Sequence, residues 1–379
     1  MTARARVLLA SHDAGGTVPP MLALAEALVE RGHQVMWLGQ PSIEGRARAA
    51  GCDFTAFAGL SDYAPGVPIE EQLPIAVPLI MGADVGEQFV SVAERHGADL
   101  VVVDANLAGC AAAAETLEAR SAVLLHSMLA TFTQTWFADI WPFVGAGVNE
   151  TRRRFGLGES NSWIDVFASH DRIISVVPRR FDAPDPDLPG NVRHFGFLIP
   201  RTSGGGDGRF ADGENPTVLV GLSTTYQAQE GLLQAILDAL GSLPVRGLAS
   251  TAGQVDREAL RCPSNVVVRE FVDHGTALDQ TDVMVTHAGL GSVAGALSHG
   301  VPLVCMPLGR DQHLNAERVE RMGAGVQIDA GAAAAAIADA VQRVLEDRSY
   351  HEAASQLALE SRAEGGATAA AEELEGLLG

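Results

Sequence analysis

The stretch from Val285 to Val319, VTHAGLGSVAGALSHGVPLVCMPLGRDQHLNAERV, constrains the fold of this chain more than any other segment. It begins with the apolar residues of a buried strand. After His287 and two glycines it continues into a helical pattern with apolar residues on one face. A glycine-rich turn that opens a helix presents backbone N–H groups at the positive end of the helix dipole. The pattern therefore predicts a strand–turn–helix unit that suits phosphate.

A second polar turn follows the next apolar strand, Pro302–Pro307. It carries Asp311, Gln312, His313 and Asn315, whose side chains suit the binding of hydroxyl groups. Taken singly, each turn has a simpler explanation, because most glycine-rich turns are tight loops and Asp-Gln often caps a helix. The carboxyl ends of parallel strands open on the same edge of a sheet, so we expect the two turns to share one site.

Together these turns resemble the nucleotide-sugar signature of the family 1 (UDP-glycosyltransferase-like) glycosyltransferases. The resemblance rests on His287-x-Gly289-x-Gly291-Ser292, Gly300-Val301-Pro302, Pro307-x-x-x-Asp311-Gln312 and Asn315-Ala316. It extends more weakly over nearly the whole chain. It implies a bacterial natural-product enzyme with the GT-B architecture, in which two Rossmann-like βαβ domains of the α/β class face each other across a cleft that holds the active site.

Length and composition agree with two domains. A chain of 379 residues with 47% hydrophobic residues can form two separate cores. Alternating strands and helices from Arg6 onward predict a parallel sheet. The Gly/Asp-rich segment Arg201–Pro216 is typical of a linker. With the resemblance, we expect an acceptor-binding domain at 1–200, a linker at 201–216, a nucleotide-sugar-binding domain at 217–355 and a final helix at 356–379 that packs back on the first domain.

Charge and hydropathy exclude several partners. The net charge of −21 argues against nucleic acid and anionic membrane surfaces, so a phosphate site must use local donors. The chain contains no apolar run long enough for a transmembrane helix. The N-terminal run Val7–Ala10 is too short for a signal peptide and is soon followed by His12 and Asp13. We expect a cytoplasmic protein whose oligomeric state, a homodimer included, is left open.

The sequence predicts neither a metal nor a cofactor. No DxD pattern or His/Cys cluster with metal-ligand spacing in the sequence argues for a metal. The nucleotide-sugar would be a substrate, and protein donors would stabilise its diphosphate. The four cysteines have no paired spacing and are expected to be buried free thiols; they are Cys52, Cys110, Cys262 and Cys305.

The resemblance assigns the donor-site residues to the second domain. Ser223 and Thr224 follow its first predicted strand and could reach the same phosphates, although a helix N-cap explains them equally well. Phe271 and Val272 align with the nucleobase platform of the family. The diphosphate would be bound by His287, Gly289, Leu290, Gly291 and Ser292, and the sugar hydroxyls by Asp311 and Gln312.

The catalytic base is the point at which this sequence departs from the family pattern. Thr17, within Gly-Thr-Val-Pro-Pro, stands where the family has a histidine, and a threonine hydroxyl has no pKa suited to a base near neutrality. His12 and Asp13 lie just upstream, and Asp104 ends a predicted strand and matches the acid that partners the base. Three arrangements stay open: His12 with Asp104, Asp13 alone, or Asp104 acting directly.

The acceptor pocket is expected to form from a long loop at Gly59–Pro78 and an aromatic segment at Phe132–Trp163. His126 follows a strand and would line the same site. Such a surface suits a flat, hydrophobic acceptor, although these aromatic residues could equally belong to the core. The predicted acceptor-site residues are Tyr63, His126, Phe132, Trp136 and Trp141.

The sequence thus predicts a metal-independent inverting glycosyltransferase that moves a sugar from a TDP- or UDP-sugar to a hydroxyl of a hydrophobic small molecule. Transfer to nitrogen or carbon is a variant of the same reaction. Two alternatives remain: a GT-B nucleotide-sugar 2-epimerase, which would need no acceptor pocket, and a degenerate homologue that binds nucleotide-sugar without turnover.

Overall fold

Two compact units make up the chain. The computed structural model describes residues 4–62, 67, 71, 73–134, 136–139, 141–182, 188–201, 207–225 and 227–379. One unit comprises Met1–Thr202 and Ala363–Gly379, and the other comprises Ser203–Arg362.

The first unit is built on a seven-stranded sheet in which every strand pair is parallel. Its spatial order is β3-β2-β1-β4-β5-β6-β7, so β1, β4 and β5 are neighbours. Because helical crossovers cover both faces, the central strands are buried throughout and read as apolar runs. The strands are β1 Arg6–Ala10, β2 Gln34–Gly39, β3 Asp53–Ala56, β4 Leu100–Asp104, β5 Arg120–Leu125, β6 Arg172–Ser175 and β7 Val192–His194.

Within the described residues, ten α-helices lie between these strands, and the last helix of the chain belongs to the same unit. They are α1 Val18–Glu30, α2 Glu44–Ala49, α3 Leu73–Met81, α4 Ala83–His96, α5 Ala108–Ala114, α6 Leu129–Gln134, α7 Trp136–Asp139, α8 Trp141–Arg154, α9 Trp163–Ala168 and α10 Arg179–Asp182. A short 3₁₀ helix spans Pro41–Ile43.

The second unit repeats the arrangement with six parallel strands in the order β10-β9-β8-β11-β12-β13. Its strands are β8 Thr217–Gly221, β9 Arg246–Ser250, β10 Val266–Arg269, β11 Val283–Thr286, β12 Leu303–Cys305 and β13 Gly325–Gln327. Its helices are α11 Glu230–Gly241, α12 His274–Leu278, α13 Leu290–Ser298, α14 Gln312–Arg321, α15 Ala334–Glu346 and α16 Arg348–Ala363, with a 3₁₀ helix at Arg257–Ala259.

The final helix, α17 Gly366–Glu375, packs against α1 within the first unit. Arg31 holds the buried carboxylate of Glu375 through two hydrogen bonds of 2.7 Å, one to each oxygen. His33 Nε2 lies 2.7 Å from the same carboxylate. A bidentate guanidinium–carboxylate pair fixes geometry as well as charge, so these contacts set the position of the helix on this unit.

Two sequence predictions are wrong in detail. The segment Gly59–Pro78 is not loop throughout, because α3 begins at Leu73. Pro74 lies in the first turn of α3, where a missing N–H costs little, and Pro78 is tolerated inside the helix. Among the cysteines, Cys262 is exposed, whereas the other three are buried.

Among the described residues, no single helix is long and apolar enough to cross a membrane. Two consecutive helices, Pro74–Met81 and Ala83–His96, are long and apolar enough only when they are taken together, and they are bent by 52° relative to each other.

Candidate active site

Three polar residues lie at the carboxyl ends of adjacent strands in the first unit. Asp104 is the last residue of β4, His126 directly follows β5, and His12 comes two residues after β1. Since β1, β4 and β5 are neighbours in a parallel sheet, their ends meet at one edge. The fold therefore brings Asp104, His12 and His126 together. The sequence predicted Asp104 and His12 as candidates for the base and His126 for the acceptor site.

The carboxylate of Asp104 lies between the two histidines. Its Oδ2 is 2.9 Å from Nδ1 of His126, which is hydrogen-bond distance, and its Oδ1 is 3.6 Å from Nδ1 of His12. The backbone N–H of Asn106 donates to Oδ1 at 2.9 Å. The side chain of Asp104 is fully buried and that of His12 is 1% exposed, whereas that of His126 is 15% exposed. Of the three, His126 is the one that reaches the surface.

Burial and charge set the protonation of this cluster. Burial lowers the pKa of His12 to about 4, against the opposing effect of Asp104, so His12 is neutral near pH 7. Burial alone would raise the pKa of Asp104. The adjacent His126, then His12 and the Asn106 N–H, outweigh this effect and hold the pKa of Asp104 below its usual value. The carboxylate is therefore ionised and can orient an imidazole ring.

Asp13 and Thr17, the other two base candidates, have structural contacts. The carboxylate of Asp13 forms an ion pair with Arg46 and accepts a hydrogen bond of 3.0 Å from Ser42 Oγ. The hydroxyl of Thr17 donates to the carbonyl of His12 at 2.6 Å and accepts the N–H of Ala14. Both side chains thus brace the loop between β1 and α1.

The predicted acceptor residues separate into different environments. Phe132 is 3% exposed and belongs to the core, with ring centroids 5.1 Å from Phe167 and 6.2 Å from His126, so its place in the acceptor site stays a prediction. Trp141 is half-buried and packs edge-on against Trp163. Trp136 opens α7, but its side chain, like Tyr63, lies outside the described residues.

In the second unit, the predicted phosphate turn lies between β11 and α13. Gly289 is the N-cap of α13, and a Cβ there would lie 2.5 Å from Nε2 of His287, so only glycine lets the imidazole sit over the turn. Among the described residues no atom lies within 4 Å of a Cβ placed at Gly291, so the first turn of the helix faces open space. Leu290 and Ser292 complete this turn. The N–H of Ser292 donates to the carbonyl of Gly289 at 3.0 Å, so the turn presents the N–H groups of Leu290 and Gly291.

His287 is buried, and its ring is hydrogen-bonded to the backbone of Gly221 at the end of β8. Burial lowers the pKa of His287 to about 4, so the ring is neutral near pH 7. A neutral ring has a single N–H, so it can donate to Gly221 or to an anion but not to both, and it adds no full charge.

The loops after β8 and β12 are joined by side-chain amides. Gln312 is 2% exposed. Its Oε1 accepts the N–H groups of Leu308 and Gly309 at 2.8 and 3.1 Å, and its Nε2 donates to Gln227. Gln227 in turn donates to Ser223 Oγ at 2.7 Å. Gln312 and Ser223 therefore brace the loops, and the binding of sugar hydroxyls by Gln312 stays a prediction.

Other predicted donor-site residues stay at the open edge of the sheet. Thr224 is exposed after β8, and Asp311 is half-buried as the N-cap of α14. Phe271 is 55% exposed after β10, and Val272 beside it is half-buried. An exposed phenylalanine ring at the carboxyl end of a sheet has the geometry of a stacking platform.

Backbone strain concentrates at the same edge. All of the described non-glycine residues with a left-handed φ lie in loops that follow strands of the second unit. Such conformations cost about 1–3 kcal/mol each and cluster at ligand sites. They are Ala228, Ala252, Ala288 and Arg310, with φ of 48°, 52°, 63° and 57°.

Two features of the site were not predicted from the sequence. One is the pairing of Asp104 with His126, which only the strand order reveals. The other is Arg310, whose Nη1 donates to Thr225 Oγ1 at 3.0 Å and so spans the loops after β12 and β8. Its position one residue before Asp311 was the available signal.

Comparison with known proteins agrees with this geometry. Residues 234–377 match the family model "Erythromycin biosynthesis protein CIII-like, C-terminal domain". The chain is 27% identical to 4'-demethylrebeccamycin synthase of Lentzea aerocolonigenes, over 99% of this chain and 100% of that protein. It is 31% identical to demethyllactenocin mycarosyltransferase of Streptomyces fradiae over 53% of this chain, a match that spans 44% of that relative.

Solved structures share the fold over the whole chain. The glycosyltransferase of kitacinnamycin superposes with a TM-score of 0.83 at 24% identity, with 100% of both chains covered. The glycosyltransferase VinC, solved in complex with dTDP, superposes with a TM-score of 0.75 at 20% identity over 98% of this chain and 99% of that one. The chain therefore has the GT-B fold of these structures, and the family model and the named relatives support a glycosyltransferase of the bacterial natural-product type.

Proposed function

We propose that this chain transfers a sugar from a TDP- or UDP-sugar to a hydroxyl of a hydrophobic small molecule, with inversion at the anomeric carbon and without a metal ion. The observation that carries the proposal is the phosphate turn at His287, Gly289 and α13, which lies at the same sheet edge as the exposed ring of Phe271. The dTDP complex of VinC supports a nucleoside diphosphate as ligand of this fold.

The reaction is a single displacement. The acceptor oxygen gives its proton to a base and forms a bond to the anomeric carbon, while the bond from that carbon to the diphosphate oxygen breaks. The nucleoside diphosphate leaves with the bonding electrons. Inversion follows from attack on the face opposite the leaving group. The N–H groups at the start of α13 and the ring of His287 would stabilise the negative charge that develops on the diphosphate.

For the base we propose His126, oriented by Asp104. A proton on Nδ1, donated to Asp104 Oδ2 across 2.9 Å, leaves the lone pair on Nε2 for the acceptor hydroxyl. His12 lies beneath the surface, so we assign it a positioning role on the other carboxylate oxygen. The contacts of Asp13 with Arg46, and of Thr17 with the backbone, support structural roles for both.

Turnover distinguishes this proposal from the alternatives. The named relatives are synthases and transferases, and none supports the epimerase alternative. A degenerate homologue would bind nucleotide but would not release it from a nucleotide-sugar. Transfer to nitrogen or carbon would place the sugar on that atom of the product instead of on an oxygen. The proposal includes the cytoplasm as the location of the reaction.

The first experiment is thermal unfolding with TDP, UDP, GDP, ADP or no nucleotide. A ligand at about 100 times its Kd should stabilise the folded state by about 2.7 kcal/mol, which is enough for a clear rise in Tm. A selective rise with TDP or UDP supports the donor site and names the donor class. Equal melting temperatures across the panel would contradict it. The same assay with and without EDTA tests metal independence.

A further inference from the structure

Asp182 is a fully buried acid of the first unit that the proposed reaction does not use. It is the last residue of α10. Ser175 ends β6 and donates its hydroxyl to Asp182 Oδ2 at 3.5 Å. His194 ends β7, and its Nε2 lies 3.1 Å from the same oxygen. A buried carboxylate is costly unless hydrogen-bond donors surround it, so these contacts hold Asp182 at the carboxyl edge of the sheet.

Two further donors to Asp182 come from the start of α6. The N–H of Leu129 donates to Oδ2 at 3.3 Å, and the N–H of Ala130 donates to Oδ1 at 3.2 Å. The first N–H groups of a helix have no partner within it, and a side-chain oxygen of the preceding residue often accepts them. Met128 precedes α6 and has no such oxygen. Asp182 therefore caps α6 from a position 53 residues beyond Leu129.

The start of α6 lies close to His126 in the chain and in space. His126 follows β5, and α6 begins three residues later at Leu129. The hydroxyl groups of Ser127 and Thr131 lie 2.9 Å apart and join this short connection to the helix. The ring of Phe132, on α6, lies 6.2 Å from the imidazole of His126 in an edge-to-face arrangement, which aromatic pairs prefer. A shift of α6 would therefore move both the backbone next to His126 and the ring that packs against its imidazole.

We propose that Asp182 is a positioning residue for the base of the proposed reaction. Through the N–H groups of Leu129 and Ala130 it fixes α6, and α6 keeps the imidazole of His126 where its Nδ1 meets Asp104. Two buried acids thus act on one imidazole, Asp104 by direct contact and Asp182 through α6. This inference rests on the proposed function, since it concerns the orientation of the base.

The test is a double-mutant cycle between Asp182→Asn and His126→Ala, with kcat measured for a phenol acceptor. We expect Asp182→Asn to lower kcat at least ~10-fold, since a displacement of about 1 Å can cost ~100-fold in rate. In the His126→Ala background the same substitution should have no further effect, because the group that it positions is absent. With an aryl thiol, which is already ionised and needs no base, Asp182→Asn should stay close to the wild-type rate.

Asp171→Asn is the matched control. The carboxylate of Asp171 accepts the N–H of Ser121 at 2.9 Å near the start of β5, the strand whose other end leads to His126. Its loss should lower the stability of the first unit in urea and leave kcat unchanged. Phe132→Leu is a second variant, which keeps an apolar side chain but removes the ring contact with His126. It should reproduce the kinetic pattern of Asp182→Asn and decides the matter if that variant does not fold.

The possible outcomes separate this inference from the proposed function. An equal factor of loss from Asp182→Asn with and without His126 would overturn the inference, since Asp182 would then act on something other than the base. An unchanged kcat in Asp182→Asn would overturn it too, as would an equal loss in Asp171→Asn, and the same criteria apply to Phe132→Leu. If the wild-type protein transferred no sugar to any acceptor, the proposed function would itself fail, and this inference with it.

Discussion

His126 Nδ1 lies 2.9 Å from Asp104 Oδ2, at the ends of two neighbouring parallel strands. His12 approaches the other oxygen of the same carboxylate only to 3.6 Å and is almost completely buried. A single buried carboxylate thus lies at hydrogen-bond distance from one partly exposed imidazole and contacts a second, buried one. In the proposed reaction this arrangement would supply a general base, in a chain whose β1–α1 loop has Thr17 where the family that it resembles has a histidine.

Replacement of His126 by Ala should therefore lower kcat by about 10²–10⁴-fold with phenol acceptors, as expected for loss of a general base. The loss should be much smaller with aryl thiols, which are already ionised near neutrality and need no base. Initial rates with both acceptor classes check this, with Asp104→Asn expected to follow the same pattern. Equal losses with phenols and thiols would indicate a structural role for His126.

His287→Ala should reduce kcat/KM for the nucleotide-sugar by a factor of ~100 or more, because it removes one preorganised donor from the leaving diphosphate. The alanine variant should still fold, as judged by its circular dichroism spectrum. Steady-state kinetics compare kcat/KM of the variant and the wild type, with a nucleotide-sugar of the class that thermal unfolding identifies. Turnover close to that of the wild type would refute the phosphate assignment of this histidine.

Phe271→Ala should weaken nucleotide binding by about 1–3 kcal/mol, the usual contribution of an aromatic ring stacked on a base. The ring is 55% exposed, so the unliganded protein should lose little stability. Leu359→Ala is the matched control, since Leu359 is 58% exposed on α16. Calorimetric affinities for TDP and UDP compare the three proteins. A loss of unliganded stability with unchanged affinity would place Phe271 in packing instead.

Glu375→Gln should destabilise the first unit by roughly 2–3 kcal/mol, because the buried carboxylate accepts charge-assisted bonds from Arg31 and lies beside His33. Glu372→Gln is the control: its carboxylate is 57% exposed and meets Arg31 once, so its loss should cost less than about 1 kcal/mol. Urea unfolding measures the free energy of unfolding of both variants. Similar losses in the two variants would show that α17 is not held mainly through Glu375.

Acid should destabilise the protein in a defined window. Burial lowers the pKa of His12, His170 and His287 to about 4, whereas an unfolded histidine titrates near 6.5. Between these values the unfolded chain binds more protons, so the free energy of unfolding falls as pH decreases from about 6.5 to 4. Urea unfolding at pH 7, 6 and 5 measures this slope. His170→Gln should make it shallower, and a slope of zero in the wild type would contradict the assignment.

The sequence predicted the strand–turn–helix unit at His287 correctly because that unit is local. In Val283–Gly291 the apolar strand, the glycines and the following helix lie within a few residues, and each type of residue has a strong backbone preference. The parallel order of the strands followed from the alternation of strands and helices. The positions of Asp104 and His126 after their strands were therefore predictable.

The side-chain contacts of these residues could not be predicted from the sequence. Which histidine reaches Asp104 depends on how the loop before α1 is folded, and that loop is held by Thr17, which donates to the carbonyl of His12. Residue type alone does not reveal which face an aromatic ring occupies, so Phe132 was predicted at the acceptor surface but lies in the core. Gln312 has hydroxyl-binding chemistry but satisfies its amide within its own loop and on Gln227.

The central claim is sugar transfer, and it is tested most directly by mass spectrometry of reactions that contain TDP- or UDP-glucose and a panel of hydrophobic phenols. We expect nucleoside diphosphate release to depend on a phenol, and that phenol to gain one hexose in equal amount, in the wild type but not in Asp104→Asn. Binding of nucleotide without acceptor-dependent release, for every donor and acceptor, would contradict the account and leave a nucleotide-sugar-binding homologue without turnover.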